Sequence, residues 1–567
     1  MNIDELKQRA AAGDAEAQYK LGECYYNGDD IKQDDEAAFL WFKESAGQGY
    51  TPAYKALGDC YIFGYGVEQD YEEAVKWWRL AAEQGNAEAQ NNLAIAYANG
   101  DGVEQNYEEA VKWWRLAAEQ GVVEAQHNLG YAYKCGEGVE QNLEEAVKWY
   151  RLAAEQGLVE AQYNLGNAYK RGEGVEQNFE EAVKWYRLAA EQGNAEAQNN
   201  LAIAYANSEG VEQNFEDAVK WYRLAAEQGL VEAQHNLGYA YKRGKGVEQN
   251  FEEAVKWWTL AAEQGLVEAQ HNLGYAYKCG EGVEQNFEEA VKWYRLAAEQ
   301  GLVEAQYNLG NAYKRGEGVE HNFEEAVKWW RLAAEQGNAD AQLNLGVSYK
   351  NGCGVEKDVE EAVKWCRLAA EQGNGQAQYN LGIAFQFGTG VEQSMEEALK
   401  WWRLSAEQGV VEAQKKLGSI YIRGEGVEQN DKEAARWIQL AAEQNDTSSQ
   451  NVMGFIYHSG RGVEQNYEEA VKWWRLAAEQ SCAEAQCNLG CAYVNGDGVE
   501  LNYEEAVKWW RLAAEQGDAD AQLNLGNAYK RGDGVEQNME EAVKWWRLAA
   551  EQGDEKAIEA LKSLQNE

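Results

Sequence analysis

Ala17 returns as Ala53, Ala89, Ala125 and so on to Ala521 in steps of 36 residues, with Ser449 as the one substitution and Ala557 as a last echo. Trp41 keeps the same spacing through Trp77, Trp113 and Trp149 to Trp545, without one insertion. A period of roughly 20–50 residues held this strictly marks a repeat array, in which each unit buries its apolar face only against its neighbours. The 567 residues therefore read as one array rather than several independent domains. Fifteen full units run from 17–52 to 521–556, preceded by an N-terminal capping half-repeat at 1–16 and followed by a C-terminal capping helix at 557–567. The single proline, Pro52, marks no linker.

Each unit reads as two helices. In 87–100, Ala89, Leu93, Ala96 and Tyr97 share one face at i, i+4, i+7 and i+8, and the run stops at Gly100. After "DGVEQN", Asn106 is an N-cap with Glu109 placed for a capping box, and Gly121 ends the second helix. In that second helix Glu108, Lys112, Arg115 and Glu119 form a polar stripe, and the spacing predicts Glu108–Lys112 and Arg115–Glu119 ion pairs. Ala110, Val111, Trp113, Trp114, Leu116, Ala117 and Ala118 form an apolar band too wide for one partner helix. The band predicts contact with the hairpin mate and both neighbouring hairpins, with Trp113 filling space between layers. Thirteen units carry a mid-helix glycine such as Gly22, Gly58 or Gly130, where only Ala94 and Ala202 differ. Each glycine costs about 0.5–1 kcal/mol relative to alanine, which predicts a ring or helix pressed against it.

These residues carry a family resemblance. The pattern A-x-A-Q-x-x-L-G-x-x-Y-x-x-G-x-G-V-E-x-[ND]-x-x-x-A-x-x-W-x-x-x-A-A-x-x-G, clear in "AEAQYKLGECYYNG" (15–28) and "GVEQDYEEAVKWWRLAAEQG" (66–85), resembles the Sel1-like repeat, a relative of the tetratricopeptide repeat. The resemblance covers residues 4–567. It implies an all-α fold, a right-handed superhelical α-solenoid of helix-turn-helix repeats whose first helices line a concave surface, and a non-enzymatic adaptor or scaffold role.

Offsets of two, six and nine from the repeat alanine make the face of the first helix opposite its buried leucine. The candidate partner-binding residues there are His127, Tyr131 and Lys134; Tyr163, Asn167 and Lys170; His235, Tyr239 and Lys242; His271, Tyr275 and Lys278; and Tyr307, Asn311 and Lys314. Aromatic, amide and cationic groups on rigid helices suit a protein or peptide partner. Tyr131, Tyr239 and Tyr275 are expected to face solvent, since Leu129, Leu237 and Leu273 turn the other way. Copying competes with selection as the source of this pattern: residues 86–135 nearly repeat 194–243, and 122–171 nearly repeat 266–315.

A formal charge of −44 argues against a nucleic-acid partner, because phosphate binding needs a basic surface. No apolar run approaches the roughly 18–20 residues of a membrane span, and "MNIDELKQRAAAG" shows no signal-peptide pattern. Nine irregularly spaced cysteines favour a reducing compartment over a disulfide framework. A cytoplasmic monomer without a cofactor is expected. His127, His235 and His271 hold one repeat position, so consecutive copies stand about 10–20 Å apart, too far to share a metal. An alternative reading places a thiol or metal site at Cys482, Cys487 and Cys491. A secreted, cysteine-rich branch of the resembled family implies β-lactam binding, but its paired cysteines in every repeat are missing here.

Overall fold

Second helices such as Tyr107–Glu119 open on a capping side chain, and first helices such as Ala87–Asn99 close on a residue in the left-handed conformation, so local signals mark the hairpin. The computed structural model describes residues 3–565, and among these there are 32 helices and no strand. Asn106 caps the helix Tyr107–Glu119 by accepting the Glu109 N–H at 3.0 Å. The preceding helix Ala87–Asn99 ends on Gly100 at φ +83°, and the second ends before Gly121 at φ +92°. A short helix, Ile3–Ala11, opens the described chain, and Glu555–Gln565 closes it.

Within a compact unit of the chain, a first helix packs on its own second helix and a second helix packs on the next first helix. The chain is an α-solenoid of 36-residue hairpins. It divides into two compact units, Met1–Asn286 and Phe287–Glu567, each built from the same hairpins.

The mid-helix glycine is the seat of an aromatic ring from the hairpin mate. A Cβ added at Gly130 would lie 2.8 Å from Tyr150 Cδ1, and one at Gly310 would lie 2.5 Å from Trp330 Cδ1. Where Ala202 replaces glycine, the facing Tyr222 is 7% exposed, against 1% for Tyr186 and 2% for Tyr294. The second glycine of the link has a different role. Gly138 (φ +69°) lies so close to the main-chain carbonyl of Tyr107, at the start of the preceding second helix, that any side chain would collide with it.

Polar side chains lock consecutive hairpins together. Gln90 is buried, donates from Nε2 to the Ala82 carbonyl of the preceding second helix at 3.0 Å, and accepts from Gln120 Nε2 at 2.8 Å. The next unit repeats this with Gln126, Ala118 and Gln156. The Gln105 side chain reaches back to the Ala98 carbonyl at 2.7 Å and closes the end of the first helix.

The polar stripe of the second helix is paired differently from the spacing rule. Lys112 Nζ meets Glu109 at 2.5 Å rather than Glu108, and the Asn106 N–H that a reciprocal capping box would satisfy donates instead to the Tyr97 carbonyl at 2.8 Å. Arg115 turns from Glu119 and donates to Tyr133 Oη of the next unit at 2.6 Å. The apolar band is also narrower than its composition suggested. Ala110, Val111, Trp114, Ala117 and Ala118 are buried, but Leu116 is exposed. Trp113 is half-buried and packs against the core of its own hairpin and that of the preceding one. Stacking covers only the sides of the helix that meet a neighbour, and Leu116 falls outside them.

The two tryptophans of a pair are therefore unequal. Trp258 is buried on Gly238, whereas Trp257 is half-buried against the preceding hairpin. We expect Trp258→Ala to lower stability by about 3–5 kcal/mol, with faster amide exchange concentrated in 231–263, and Trp257→Ala to cost less. Hydrogen exchange and urea unfolding of both variants check the order.

Candidate functional site

Packing accounts for the repeated residues, which leaves the space between consecutive first helices as the place where units differ. Where it opens into a cavity, this groove is walled by the residues six and nine after one repeat alanine and three, six and seven after the next. Its floor is the side chain 25 after the first alanine, the one seated on glycine. Around Tyr150 the groove is nearly closed: Lys134, Ala146, Asn164 and Asn167 leave a cavity of about 10 Å³. Three other grooves are open. One of about 220 Å³ lies among Tyr19, Glu23, Tyr26, Phe42, Lys55 and Asp59. A second, of about 260 Å³, lies over Cys366, and a third, of about 290 Å³, lies beside Cys491 and Trp510. A wider depression of about 450 Å³ lies elsewhere, between the helix Tyr71–Glu83 and the following link. Its lining of Glu72, Lys76, Arg79, Leu80 and Glu83 belongs to the polar stripe and brings no chemical groups together beyond ordinary surface pairs.

The sequence-selected face is not uniformly open. Tyr131, Tyr239 and Tyr275 are exposed, and Leu129, Leu237 and Leu273 are fully buried behind them. Lys314 is exposed, whereas Lys134, Lys170, Lys242 and Lys278 are half-covered. His127, Tyr163, His235, His271 and Tyr307 are half-buried, as are Asn167 and Asn311. The cause is the neighbouring unit. Asn164 Nδ2 lies 3.1 Å from His127 Nε2, and the His127 ring is 5.7 Å from Tyr150. Asn272 stands in the same relation to His235 at 3.1 Å. Asn167 accepts from Tyr186 Oη at 2.7 Å, and Asn311 accepts from Asn344 at 3.4 Å. Lys242 lies 4.8 Å from the Tyr275 ring centroid and 5.7 Å from that of Trp258. Side-by-side packing of first helices thus covers the residue two after the alanine and leaves the residue six after it on the groove wall. Sequence reasoning did not single out the asparagine three after the alanine, which makes these contacts; its recurrence as Asn128, Asn164, Asn236 and Asn272 was the available signal.

Burial also sets the protonation of several groups. His127 and His235 are held below the usual imidazole range chiefly by burial. Asp59 is pushed up by burial, against the pull of Lys55 at 3.0 Å and of Trp78 Nε1 at 3.0 Å. Burial raises the Cys366 thiol to about 11, so it stays protonated near neutrality. Cys487 and Cys491 lie together, with Asn524 Nδ2 3.9 Å and 3.6 Å from their sulfurs. Their mutual interaction raises Cys487 and lowers Cys491, and the neighbouring Trp510 indole lowers Cys491 further. Cys482 stands at the start of the same helix without a side-chain capping bond. Among the described residues, no group of three or more His, Cys, Asp or Glu is placed to hold a metal ion, and no helix is long and apolar enough to cross a membrane.

The Sel1 repeat matches fifteen consecutive segments of 36 residues, from 15–50 to 519–554. The chain belongs to the Sel1 repeat family. Among solved structures of Sel1 repeat proteins, it is similar to c5321, described as a protective antigen of uropathogenic Escherichia coli strains displaying an SLR fold. The identity is 38%, over 80% of this chain and 97% of that one, with a TM-score of 0.69. A Sel1 repeat protein from Oxalobacter formigenes is 36% identical over 53% of this chain and 87% of that one, with a TM-score of 0.44. No curated protein matches the chain.

The two depressed histidines make a pH prediction. An unfolded imidazole binds a proton near pH 6.5, whereas folded His127 and His235 resist it, so the unfolded state takes up more protons as pH falls. The contribution of these two groups should be flat above about pH 6.5 and decline as pH falls from there towards the lower folded values. Melting temperatures of wild type and a His127→Gln/His235→Gln variant at pH 7.5 and 5.0 check this: the variant should lose less on acidification.

Proposed function

We propose that this Sel1 repeat solenoid is a non-enzymatic scaffold that takes a protein or peptide partner along the grooves between its first helices. One observation carries the reading. The repeat's fixed residues are used up in caps, ring seats, glutamine ties and link contacts, while chemically diverse side chains are left on the groove walls. Exposed Tyr131, Tyr239 and Tyr275 are rigid aromatic anchors of the kind that dominate protein interfaces. They stand on the same helices as Lys134, Lys242 and Lys278, with His127 and His235 at the rear of their grooves and His271 at the same repeat position. Tyr163, Asn167 and Lys170, and Tyr307, Asn311 and Lys314, offer the same arrangement with an amide on the wall. The family's solenoid architecture supports the reading, because stacked hairpins present long continuous surfaces suited to extended partners. The charge of −44 favours a basic partner over nucleic acid.

The test is a Tyr131→Ala/Tyr239→Ala/Tyr275→Ala variant of the full chain. Each change should alter stability by only about 0.5 kcal/mol, leaving a folded protein by circular dichroism. Affinity capture with quantitative mass spectrometry should then show proteins retained by wild type and lost by the variant. Identical captured sets from both proteins would overturn the groove reading and turn attention to the exposed second-helix stripe of Lys112, Leu116 and their copies.

A further inference from the structure

The groove over Cys366 has a shape that the rest of the molecule defines. The floor position is tryptophan in eight units, at 78, 114, 258, 330, 402, 474, 510 and 546, tyrosine at 150, 186, 222 and 294, and phenylalanine at 42. Ile438 is the one aliphatic occupant, and it still reaches Gly418, where an added Cβ would meet its Cγ1 at 2.5 Å. Only Cys366 is smaller. Its sulfur sits where the near edge of a ring sits elsewhere, 2.6 Å from a Cβ built on Gly346, and nothing in its own unit continues outward from it. The cavity there is about 260 Å³, against about 10 Å³ in the groove floored by Tyr150; the grooves over Phe42 and Trp510 hold about 220 and 290 Å³ with their rings in place, so what sets the Cys366 cavity apart is its small floor rather than its volume.

The remaining parts of a ring site are in place. Val347, Val363, Leu381 and Ile383 give apolar walls. Lys350 stands at the repeat position from which Lys242, Lys314 and Lys530 lie 5.7, 5.7 and 5.6 Å from the rings of Trp258, Trp330 and Trp546. An ammonium there complements the negative face of an indole. In three units the floor indole donates its N–H to a main-chain carbonyl, that of His235 (3.3 Å), Tyr379 (3.2 Å) or Cys487 (3.2 Å). The corresponding carbonyl in the Cys366 unit belongs to Leu343.

We infer that the cavity among Gly346, Lys350, Val363, Cys366, Leu381 and Ile383 is a binding site for an indole ring, carried by a tryptophan side chain of a partner peptide. The partner ring replaces the one that this unit lacks. The inference names a ligand for one groove and rests on that cavity rather than on the tyrosine-walled grooves, so its test is independent of theirs.

Isothermal titration of the full-length protein with N-acetyltryptophanamide is the direct measurement, with N-acetylleucinamide as comparator. Saturable binding is expected for the tryptophan compound only. Cys366→Ala should retain it, and Cys366→Trp should weaken it by at least about tenfold while raising the melting temperature as the ring fills the cavity. Lys350→Ala, an exposed change that does not depend on refilling the core, should weaken binding about two- to fivefold. Undiminished binding by Cys366→Trp, or loss of discrimination against the leucine compound, would overturn the site. Binding of free indole without N-acetyltryptophanamide would overturn its assignment to a side chain.

Discussion

The contact on which this molecule depends is a flat ring laid on a glycine in the middle of a helix. Without a Cβ, the first helix lets the ring of its hairpin mate approach to the main chain, so two thirteen-residue helices pack closely enough to bury an indole. A helix-interior glycine weakens its own helix, and the buried ring, at roughly 1.5–3 kcal/mol or more, outweighs that. The same ring is the floor of the groove between first helices. Core packing and surface relief are thus set by one side chain, and a change that is conservative for stability is not conservative for the groove.

Strict periodicity follows from the polar ties. Each buried glutamine is held on one side by a carbonyl of the preceding second helix and on the other by a glutamine of its own second helix. Each second link glycine rests on the start of the preceding second helix. One inserted residue in a link or helix would break a buried hydrogen bond and drive a side chain into main chain at the same time. Surface loops elsewhere tolerate insertion because little touches them; here the links are packed parts of the stack. Fifteen units without a length change are the consequence.

What was legible in the sequence was local. The period gave the unit, the Asn and Gly signals gave helix ends, and the mid-helix glycines announced a close neighbour. Interactions between units were not legible, because one helix's periodicity says nothing about which of its sides a neighbour covers. Leu116 is apolar yet exposed, and Arg115 passes over a well-spaced Glu119 for a tyrosine hydroxyl on the next hairpin. The same limit applies to the candidate site. The three residues chosen per unit do share a face of their own helix, but an asparagine from the next unit covers the first of them. Tyr131 remains exposed while His127 does not. Which of Trp257 and Trp258 is the buried one likewise depends on the direction from which the preceding hairpin arrives.

Duplication and groove chemistry can be separated by position. The near-copies 86–135 and 194–243, and 122–171 and 266–315, contain the His/Tyr/Lys grooves that recur. Copying alone reproduces those, so their likeness is weak evidence that each one is used. Three open grooves fall outside the copied blocks: Tyr19 to Asp59 with its carboxylates and three tyrosines, the Cys366 cavity, and the Cys491 groove with its paired thiols. Their departures from the common unit include walls and floor, while the glutamine ties of the same units are kept; the second link glycine is kept as Gly354 and Gly498 but is Asp30 in the first of them. The buried glutamine ties persist beneath altered walls and floors, so the stack that carries each cavity is preserved while its lining differs from unit to unit.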